Sequence, residues 1–493
     1  MHNFSQEQTL FTPSTSTSTC EEPRSSMFAT YSSACAVNTQ FSHVYSKYIE
    51  LKMQNLPNEL VTHILSFLDS EAHLQRCIYQ DPAKLSRPVS SGPNTPLKNA
   101  SLVCRLWRTS VIKPLFRHVV WSFWRFYKPV TQDIASEIEV LSFIRRNNLS
   151  SYVESFTILI DVPRGPGQNR YADDQFWGVL PPVAHQPERP MSWNLLWSVL
   201  DNERDGGHAE TRSDQDRART HWDNNWLWHT IFDVIDPMRL TLISSIDILA
   251  SLLSRTVDLS SDWAFNSTYY ILSLSRPSRS IGQKKGSGLL PSQLSGLRNR
   301  IPCDLFHIRD WTSLLANEGS FAPVYSTYEF FHFSAATLLP AIFDASDPSF
   351  NLICENLKSL SYIATFPLSH HISDFLIPHC PPVEHLYVQF MPKDRDFWES
   401  GSLARVNLSD LWLECDTSYA LLVRQMLEPV PQQGWQRLKV FETGDKPAEG
   451  VWRMNTYDAH INGVNGWREE SEGVFVKDGS QNDSQEQTAE GET

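Results

Sequence analysis

A recurring apolar pattern in the second half of the chain limits the folds that this sequence can adopt. The pattern is a six-residue unit with apolar residues at its first, fourth and sixth positions. It occurs in four copies, and the central leucines of successive copies lie 26, 25 and 27 residues apart. The copies are Leu357-x-x-Leu360-x-Tyr362, Val383-x-x-Leu386-x-Val388, Leu408-x-x-Leu411-x-Leu413 and Trp435-x-x-Leu438-x-Val440. The alternating half of each copy predicts a short strand, and stacking of such units buries a continuous core that no single unit buries alone.

Two earlier copies, Val153-x-x-Phe156-x-Ile158 and Tyr269-x-x-Leu272-x-Leu274, extend the pattern at irregular intervals. The period falls in the range of leucine-rich repeats, about 20 to 29 residues. Residues 151–445 therefore resemble a degenerate, interrupted leucine-rich-repeat solenoid that binds a substrate. A generic α/β domain with coincidental strand spacing is the alternative.

The strand pattern also predicts which side chains are exposed. Side chains alternate along a strand, so the residues between the inward positions point to the opposite face. This selects an exposed ladder that is predicted to bind the substrate: Tyr387, Gln389, Trp412, Glu414, Arg437 and Lys439. A register slip of one residue is the alternative, and it would bury Trp412 and expose Leu411 and Leu413.

A helical module is predicted near the N-terminus. Pro57 suits the first turn of a helix, and Glu59 is favoured near its N-terminus. One apolar stripe follows at helical spacing and consists of Leu60, Ile64, Leu65 and Leu68. A second helix is predicted by the same periodicity, at Ala100, Val103, Cys104 and Trp107, and Pro114 limits it.

Four motifs occur in order in this module: Leu56-Pro57-x-Glu59-Leu60, Ile64-Leu65-x-Phe67-Leu68, Ala100-Ser101-Leu102-Val103-Cys104-Arg105-x-Trp107-Arg108 and Pro114-Leu115-Phe116-Arg117-His118-Val119. In this combination the segment resembles an F-box of the filamentous-fungal type. The resemblance implies that apolar residues of these helices bind the Skp-type adaptor of a cullin-RING ubiquitin ligase, namely Leu56, Pro57, Leu60, Ile64, Leu65, Leu68, Leu102, Val103, Cys104 and Trp107. An ordinary three-helix cap that packs on its own domain is the alternative.

The predicted fold class is α+β or an α/β repeat, with a small helical F-box followed by the irregular solenoid. Five segments are expected: a disordered Ser/Thr-rich tail (1–54), the F-box (55–120), a helical linker (121–150), the repeat domain (151–445) and a mostly disordered acidic tail (446–493). The F-box carries an insertion at about 69–98, longer than the usual connection of that family. It is interpreted as a surface loop, because closure entropy grows slowly with loop length.

Composition narrows the classes of partner and compartment. A formal net charge of -14 disfavours a general binder of nucleic-acid backbone. The one compact basic run, Arg276 to Lys285, is interpreted as a solvated loop, with a nuclear-import signal as the alternative. Eight cysteines without a CxxC pair favour reduced thiols in the cytoplasm or nucleus. Neither a secretory signal nor a membrane span is expected.

The sequence contains few residues arranged for chemistry. Glu318 and Glu329 lie in an unusual block that fits an acid/base pair of a hydrolase, although a helix end at Asn317 and Gly319 followed by an aromatic core explains it as well. The pairs His370-His371 and His379-Cys380 lack the spacing of a closed zinc site. We therefore expect no enzyme, no metal and no cofactor.

Taken together, these patterns predict a substrate-recognition subunit of an SCF-type ubiquitin ligase. The F-box would bind the Skp-type adaptor, which links it to the cullin, and the C-terminal domain would bind a protein substrate. An F-box-containing interaction scaffold that acts outside a ligase is the alternative.

Overall fold

The computed structural model describes residues 57–68, 77–82, 95–123, 138–160, 225–279, 303–343, 349–428, 431–445 and 464–478, with short gaps inside two of these ranges, 225–279 and 349–428. The chain divides into two units, 1–61 and 62–493. Of the first unit only residues 57–61, the start of a helix, are described. The account below therefore concerns mainly the second unit.

Thirteen α-helical segments occur in the described ranges. They are α1 Asn58–Ser66, α2 Thr95–Val103, α3 Arg105–Leu115, α4 Glu139–Arg146, α5 Asn225–Val234, α6 Ile246–Leu252, α7 Asp262–Phe265, α8 Leu339–Ile342, α9 Ser349–Asn356, α10 Ser369–His371, α11 Ile377–His379, α12 Asp396–Glu399 and α13 Leu408–Leu427. A π-helical turn, Ile372–Leu376, joins α10 to α11.

Ten strands form one mixed sheet. They are β1 His118–Phe123, β2 Ser155–Ile160, β3 Arg239–Ser244, β4 Tyr270–Ser275, β5 Ser313–Ser320, β6 Ser359–Thr365, β7 His385–Gln389, β8 Val440–Thr443, β9 Trp467–Ser471 and β10 Val474–Lys477. From β1 to β8 each strand pairs with the next one in the chain; β10 then pairs with β8, and β9 is at the edge. The pairs β1–β2, β2–β3, β5–β6, β6–β7 and β7–β8 are parallel, whereas β3–β4 and β4–β5 are antiparallel.

One face of this sheet packs against the helices and forms the main core. The alternating apolar residues of the strands lie there, among them Phe156, Leu242, Leu272, Leu360 and Leu386, each at most 1% exposed. Leu360 and Leu386 are also direct partners across the β6–β7 pair. The strand predictions at these two copies of the repeated pattern are therefore confirmed. The 26 residues from Leu360 to Leu386 include the rest of β6, the connection and the start of β7, so the two leucines occupy matching positions in adjacent parallel strands.

The third copy of the pattern was predicted as a strand, and this prediction is wrong. Leu408-x-x-Leu411-x-Leu413 begins α13, which Asn407 caps by accepting a hydrogen bond from the Ser409 N–H at 3.1 Å. The buried side chains of α13 follow a helical period, at Leu411, Cys415, Ser418, Tyr419, Leu422, Val423 and Met426. Trp412 and Glu414 therefore lie on a helix and cannot belong to a strand ladder.

Three smaller predictions also require correction. Residues 464–478, expected in the disordered tail, contain the hairpin β9–β10, because buried Phe475 and Trp467 belong to the main core. Asn317 and Gly319 lie within strand β5, not at a helix end. Arg276, expected in a solvated loop, is buried and pairs with Asp236 at 2.6 Å. Residues 280–285 of that loop lie outside the described ranges.

Candidate functional site

Helix α1 exposes part of its apolar stripe. Leu60 and Ile64 are 49% and 41% exposed, and Phe67, directly after the helix, is 76% exposed. Leu65 differs, because it is only 1% exposed. The predicted stripe is therefore divided: Leu60 and Ile64 are available to a partner, whereas Leu65 is not.

The second predicted helix is two helices. Cys104 adopts an extended conformation between α2 and α3, and its Sγ accepts a hydrogen bond from the Trp107 N–H at 3.5 Å. Just before this break, Leu102 and Val103 are 74% and 63% exposed. Among the other predicted adaptor-binding residues, Pro57 is exposed, Leu68, Cys104 and Trp107 are partly buried, and Leu56 lies outside the described ranges.

The sheet face opposite the main core carries three rows of side chains that run across the strands. We call it the polar face. The first row is Ser155, Arg239, Ser275, Ser313, Ser359 and His385; the second is Thr157, Thr241, Ser273, Leu315, Ser361, Tyr387 and Glu442; the third is Leu159, Ile243, Ile271, Asn317, Ile363 and Gln389. Two rows are thus rich in hydroxyl groups, and only the third is mainly apolar.

Residues Cys77–Pro82, which we call the strap, cover part of the third row. The side chains of Cys77 and Ile78 are buried in a second apolar cluster with residues of this face, and Tyr79 packs against it. The Tyr79 ring meets the Tyr387 ring edge to face, with centroids 5.7 Å apart. The strap belongs to the insertion at 69–98, which was predicted as a surface loop, and that prediction is wrong for Cys77, Ile78 and Pro82, which are buried.

Two carboxamide groups of the polar face bind the strap backbone. Asn317 Nδ2 donates to the carbonyl oxygens of Ile78 and Gln80, both at 2.8 Å. Gln389 Nε2 donates to the carbonyl oxygen of Tyr79 at 3.1 Å. Three consecutive carbonyl groups of the strap are therefore held by side chains, which removes the cost of burying them without partners.

The strap changes the interpretation of the predicted substrate ladder. Tyr387 and Gln389 do point away from the main core, as predicted, but they are 8% and 1% exposed because the strap lies over them. Arg437 and Lys439 precede β8, are exposed and approach the Glu384 carboxylate at 3.8 and 3.2 Å. The six residues therefore do not form one continuous exposed row.

Trp412 and Glu414 have other contacts. The indole ring of Trp412 is partly buried, stacks on Trp398 at 6.0 Å and meets the edge of Phe366 at 5.6 Å. Glu414 Oε2 accepts the Ser369 N–H at 2.7 Å, at the start of α10. Both side chains therefore connect α13 to neighbouring segments of the helical layer.

A cavity of about 430 Å³ lies on the polar face beside the strap. Tyr79 and Ile78 of the strap form one wall, and serines of the first two rows form much of the floor. Arg239 lines the cavity on one side, while His385 and Glu442 line it on the other and are hydrogen-bonded at 3.1 Å. Polar groups that converge on a concave site of this size are typical of ligand-binding pockets.

Sequence reasoning missed this cavity. The sequence nevertheless contains a signal for it, because polar residues alternate with apolar ones in the segments that form β3, β4 and β5. These polar residues are Arg239, Thr241, Ser273, Ser275 and Ser313. What the sequence alone does not give is the alignment of those strands, which brings the serines into adjacent positions.

Glu318 lies in the main core and not in the cavity. Its carboxylate is 3% exposed and accepts hydrogen bonds from the Thr337 hydroxyl, from Tyr362 OH at 2.5 Å and from His371 Nε2 at 2.9 Å. Burial and the neighbouring Glu318 carboxylate raise the pKa of Tyr362 well above its ordinary value. Glu329 is exposed, so the two carboxylates have different environments.

Comparison with known families identifies one segment. Residues 53–120 match the F-box-like family. The match spans about one seventh of the chain and contains α1, α2 and α3. No curated protein and no solved structure matches the chain.

The F-box-like domain therefore carries the exposed apolar residues of α1 and α2. Phe67, which was part of the motif but not of the predicted contact set, is the most exposed of them. The described residues contain no group of three or more His, Cys, Asp or Glu side chains that could hold a metal ion. None of the helices in the described ranges combines the length and apolar character needed to cross a membrane.

Proposed function

We propose that this chain is the substrate-recognition subunit of an SCF-type cullin-RING ubiquitin ligase. F-box domains typically bind Skp-type adaptors, and an F-box-like domain occupies residues 53–120. The observation that carries the proposal is the exposure of large apolar side chains within that domain, at Ile64, Phe67, Leu102 and Val103. Exposed aliphatic and aromatic groups of this kind mark interaction surfaces when they occur together.

The energy available from these side chains supplies part of what docking needs. Burying an apolar side chain of this size contributes about 1.5 to 3 kcal/mol, so four of them give a gross term of about 6 to 12 kcal/mol. Association costs about 4 to 15 kcal/mol in lost freedom, so further contacts must contribute to a stable complex. The four residues act in this account as anchors within a larger interface.

The sheet domain would hold the protein substrate and act without catalysis of its own. The order of β5 to β8, in which successive parallel strands are neighbours, supports an irregular repeat stack similar to a leucine-rich-repeat solenoid. The burial and full hydrogen bonding of Glu318 support a structural role for that carboxylate. Ubiquitin transfer would then be promoted by proximity, because tethering raises the effective concentration of the substrate.

Affinity purification of the full chain from its native cells tests this proposal. We expect the Skp-type adaptor and a cullin among the bound proteins, and a substrate that accumulates when the proteasome is inhibited. Recovery of the adaptor without a cullin would support an interaction scaffold outside a ligase instead. Absence of the adaptor would contradict the proposal.

A further inference from the structure

The cavity on the polar face contains a cationic group that has no counter-ion among the described residues. Within the described parts of the chain, the Arg239 guanidinium has neither a carboxylate at ion-pairing distance nor a hydrogen-bond acceptor, although the residue is partly buried. A guanidinium carries five N–H donors and a permanent positive charge. Partial burial of such a group is costly unless an acceptor is bound, so Arg239 indicates the sign of the ligand.

Hydroxyl groups beside Arg239 supply further donors. Arg239 is the direct cross-strand partner of Ser275, which in turn pairs with Ser313. The Oγ atoms of Ser275, Ser313 and Ser361 all belong to residues that line the cavity, and none of them has a hydrogen-bond partner among the described residues. Neighbouring strands lie about 4.8 Å apart, so Ser275 on β4 and Ser313 on β5 lie one and two strands from Arg239 and line the same end of the cavity as its long side chain, whereas Ser361 on β6 lies three strands away.

We propose that this cavity binds the phosphate group of a small polar molecule. A phosphate has three strong acceptor oxygens, which matches the Arg239 fork together with several serine hydroxyls, whereas a carboxylate has two. Guanidinium groups bind phosphate through two parallel hydrogen bonds. The volume of about 430 Å³ is that of a small-molecule pocket, and the strap closes one side, which favours a compact ligand over a long polypeptide.

The opposite end of the cavity limits where the phosphate lies. The Glu442 carboxylate would repel it, but Glu442 accepts a hydrogen bond from His385 Nε2 and lies on β8, five strands away from Arg239 on β3. Lys393 also lines that end, but its ammonium donates to Tyr387 OH at 2.9 Å, and the Glu442 carboxylate offsets its charge. The phosphate is therefore placed at the Arg239 end, and the Glu442 end is left for an uncharged or cationic part of the ligand.

Phosphate binding by the full 493-residue chain tests this inference, with inorganic phosphate as the probe in a calorimetric titration. We expect one saturable site, and Arg239→Gln should weaken binding at least tenfold. Ser313→Ala removes one donor without adding bulk and should weaken it about threefold to tenfold, so the test survives if Arg239→Gln fails to fold. Arg424→Gln is the matched control, because Arg424 is exposed on α13 beside Glu428, and it should bind phosphate like the wild type.

Two further probes identify the source of the phosphate. O-phosphoserine represents a small molecule, and a phosphoserine peptide of ten residues represents a modified protein. Our account predicts that O-phosphoserine binds at least as tightly as the peptide and that both depend on Arg239. Tighter binding of the peptide would overturn the assignment to a small ligand. Equal binding by wild type, Arg239→Gln and Ser313→Ala would show an adventitious ion only, without affecting the proposal on adaptor binding, which is measured separately.

Discussion

Substitution of Glu318 provides the sharpest test of the distinction between a structural and a catalytic carboxylate. Among the described residues, Glu318 is the acceptor for three buried donors, the Tyr362 hydroxyl, His371 Nε2 and the Thr337 hydroxyl, and Glu318→Ala removes it. Each buried donor left without a partner costs about 1 to 3 kcal/mol. Because the three donors can partly rearrange, we expect a total loss of about 3 to 6 kcal/mol in the free energy of unfolding.

Such a loss is a large fraction of the 5 to 15 kcal/mol that stabilises an ordinary domain. Glu318→Gln retains one oxygen and the side-chain volume, so we expect a smaller loss of about 1 to 2 kcal/mol. Glu329→Gln is the control, because Glu329 is exposed, and its effect should stay within about 0.5 kcal/mol. Urea unfolding followed by circular dichroism measures all three variants.

The result that would refute this reasoning is a Glu318→Ala variant that loses less than about 1 kcal/mol. Such a value would mean that the carboxylate is not the acceptor of the buried network. Loss of a catalytic activity in Glu318→Gln at unchanged stability would instead support the hydrolase alternative.

Three further predictions concern other parts of the domain. Burial raises the pKa of Asp445 from 3.8 to about 6, so the native state binds a proton more tightly than the unfolded state. The free energy of unfolding should therefore fall by about 2 to 3 kcal/mol as the pH rises from about 4 to about 6. Urea titrations at several pH values measure this slope, which Asp445→Asn should flatten. Asn317→Ala removes two hydrogen bonds to the strap and should increase amide hydrogen exchange at residues 78–80 at least tenfold. Unchanged protection would show that other contacts hold the strap in place. Trp412→Ala removes the ring contacts with Trp398 and Phe366. Because the indole is only partly buried, the free energy of unfolding should fall by about 2 to 3 kcal/mol, less than for a fully buried aromatic residue. A thermal melt without a shift would contradict these contacts.

The sequence was most informative where a period was short and local. The pattern around Leu360 and Leu386 predicted two strands and their inward faces correctly, because alternation and a spacing of 26 residues act together there. At Leu411 the same pattern misled. The residues after it, from Cys415 to Met426, repeat at a helical period, and a longer window would have shown this.

The covering of the polar face could not be predicted from local pattern. The strap lies some 310 positions before the Gln389 side chain that holds it, and no periodicity connects residues so far apart. The same holds for Arg239, Ser275 and Ser313, which become neighbours only through strand alignment. Exposure of Tyr387 was expected from alternation, which gives the direction of a side chain but not what packs over it.

Binding of the full chain to the purified Skp-type adaptor tests the central claim most directly. Ile64→Asp combined with Phe67→Asp places two charges on exposed apolar positions of the F-box-like domain, and Leu413→Asp places one on a similarly exposed leucine of α13. We predict that the double variant keeps its circular dichroism spectrum but loses adaptor affinity at least a hundredfold, whereas Leu413→Asp binds like the wild type. A double variant that binds the adaptor within threefold of the wild type would contradict the account.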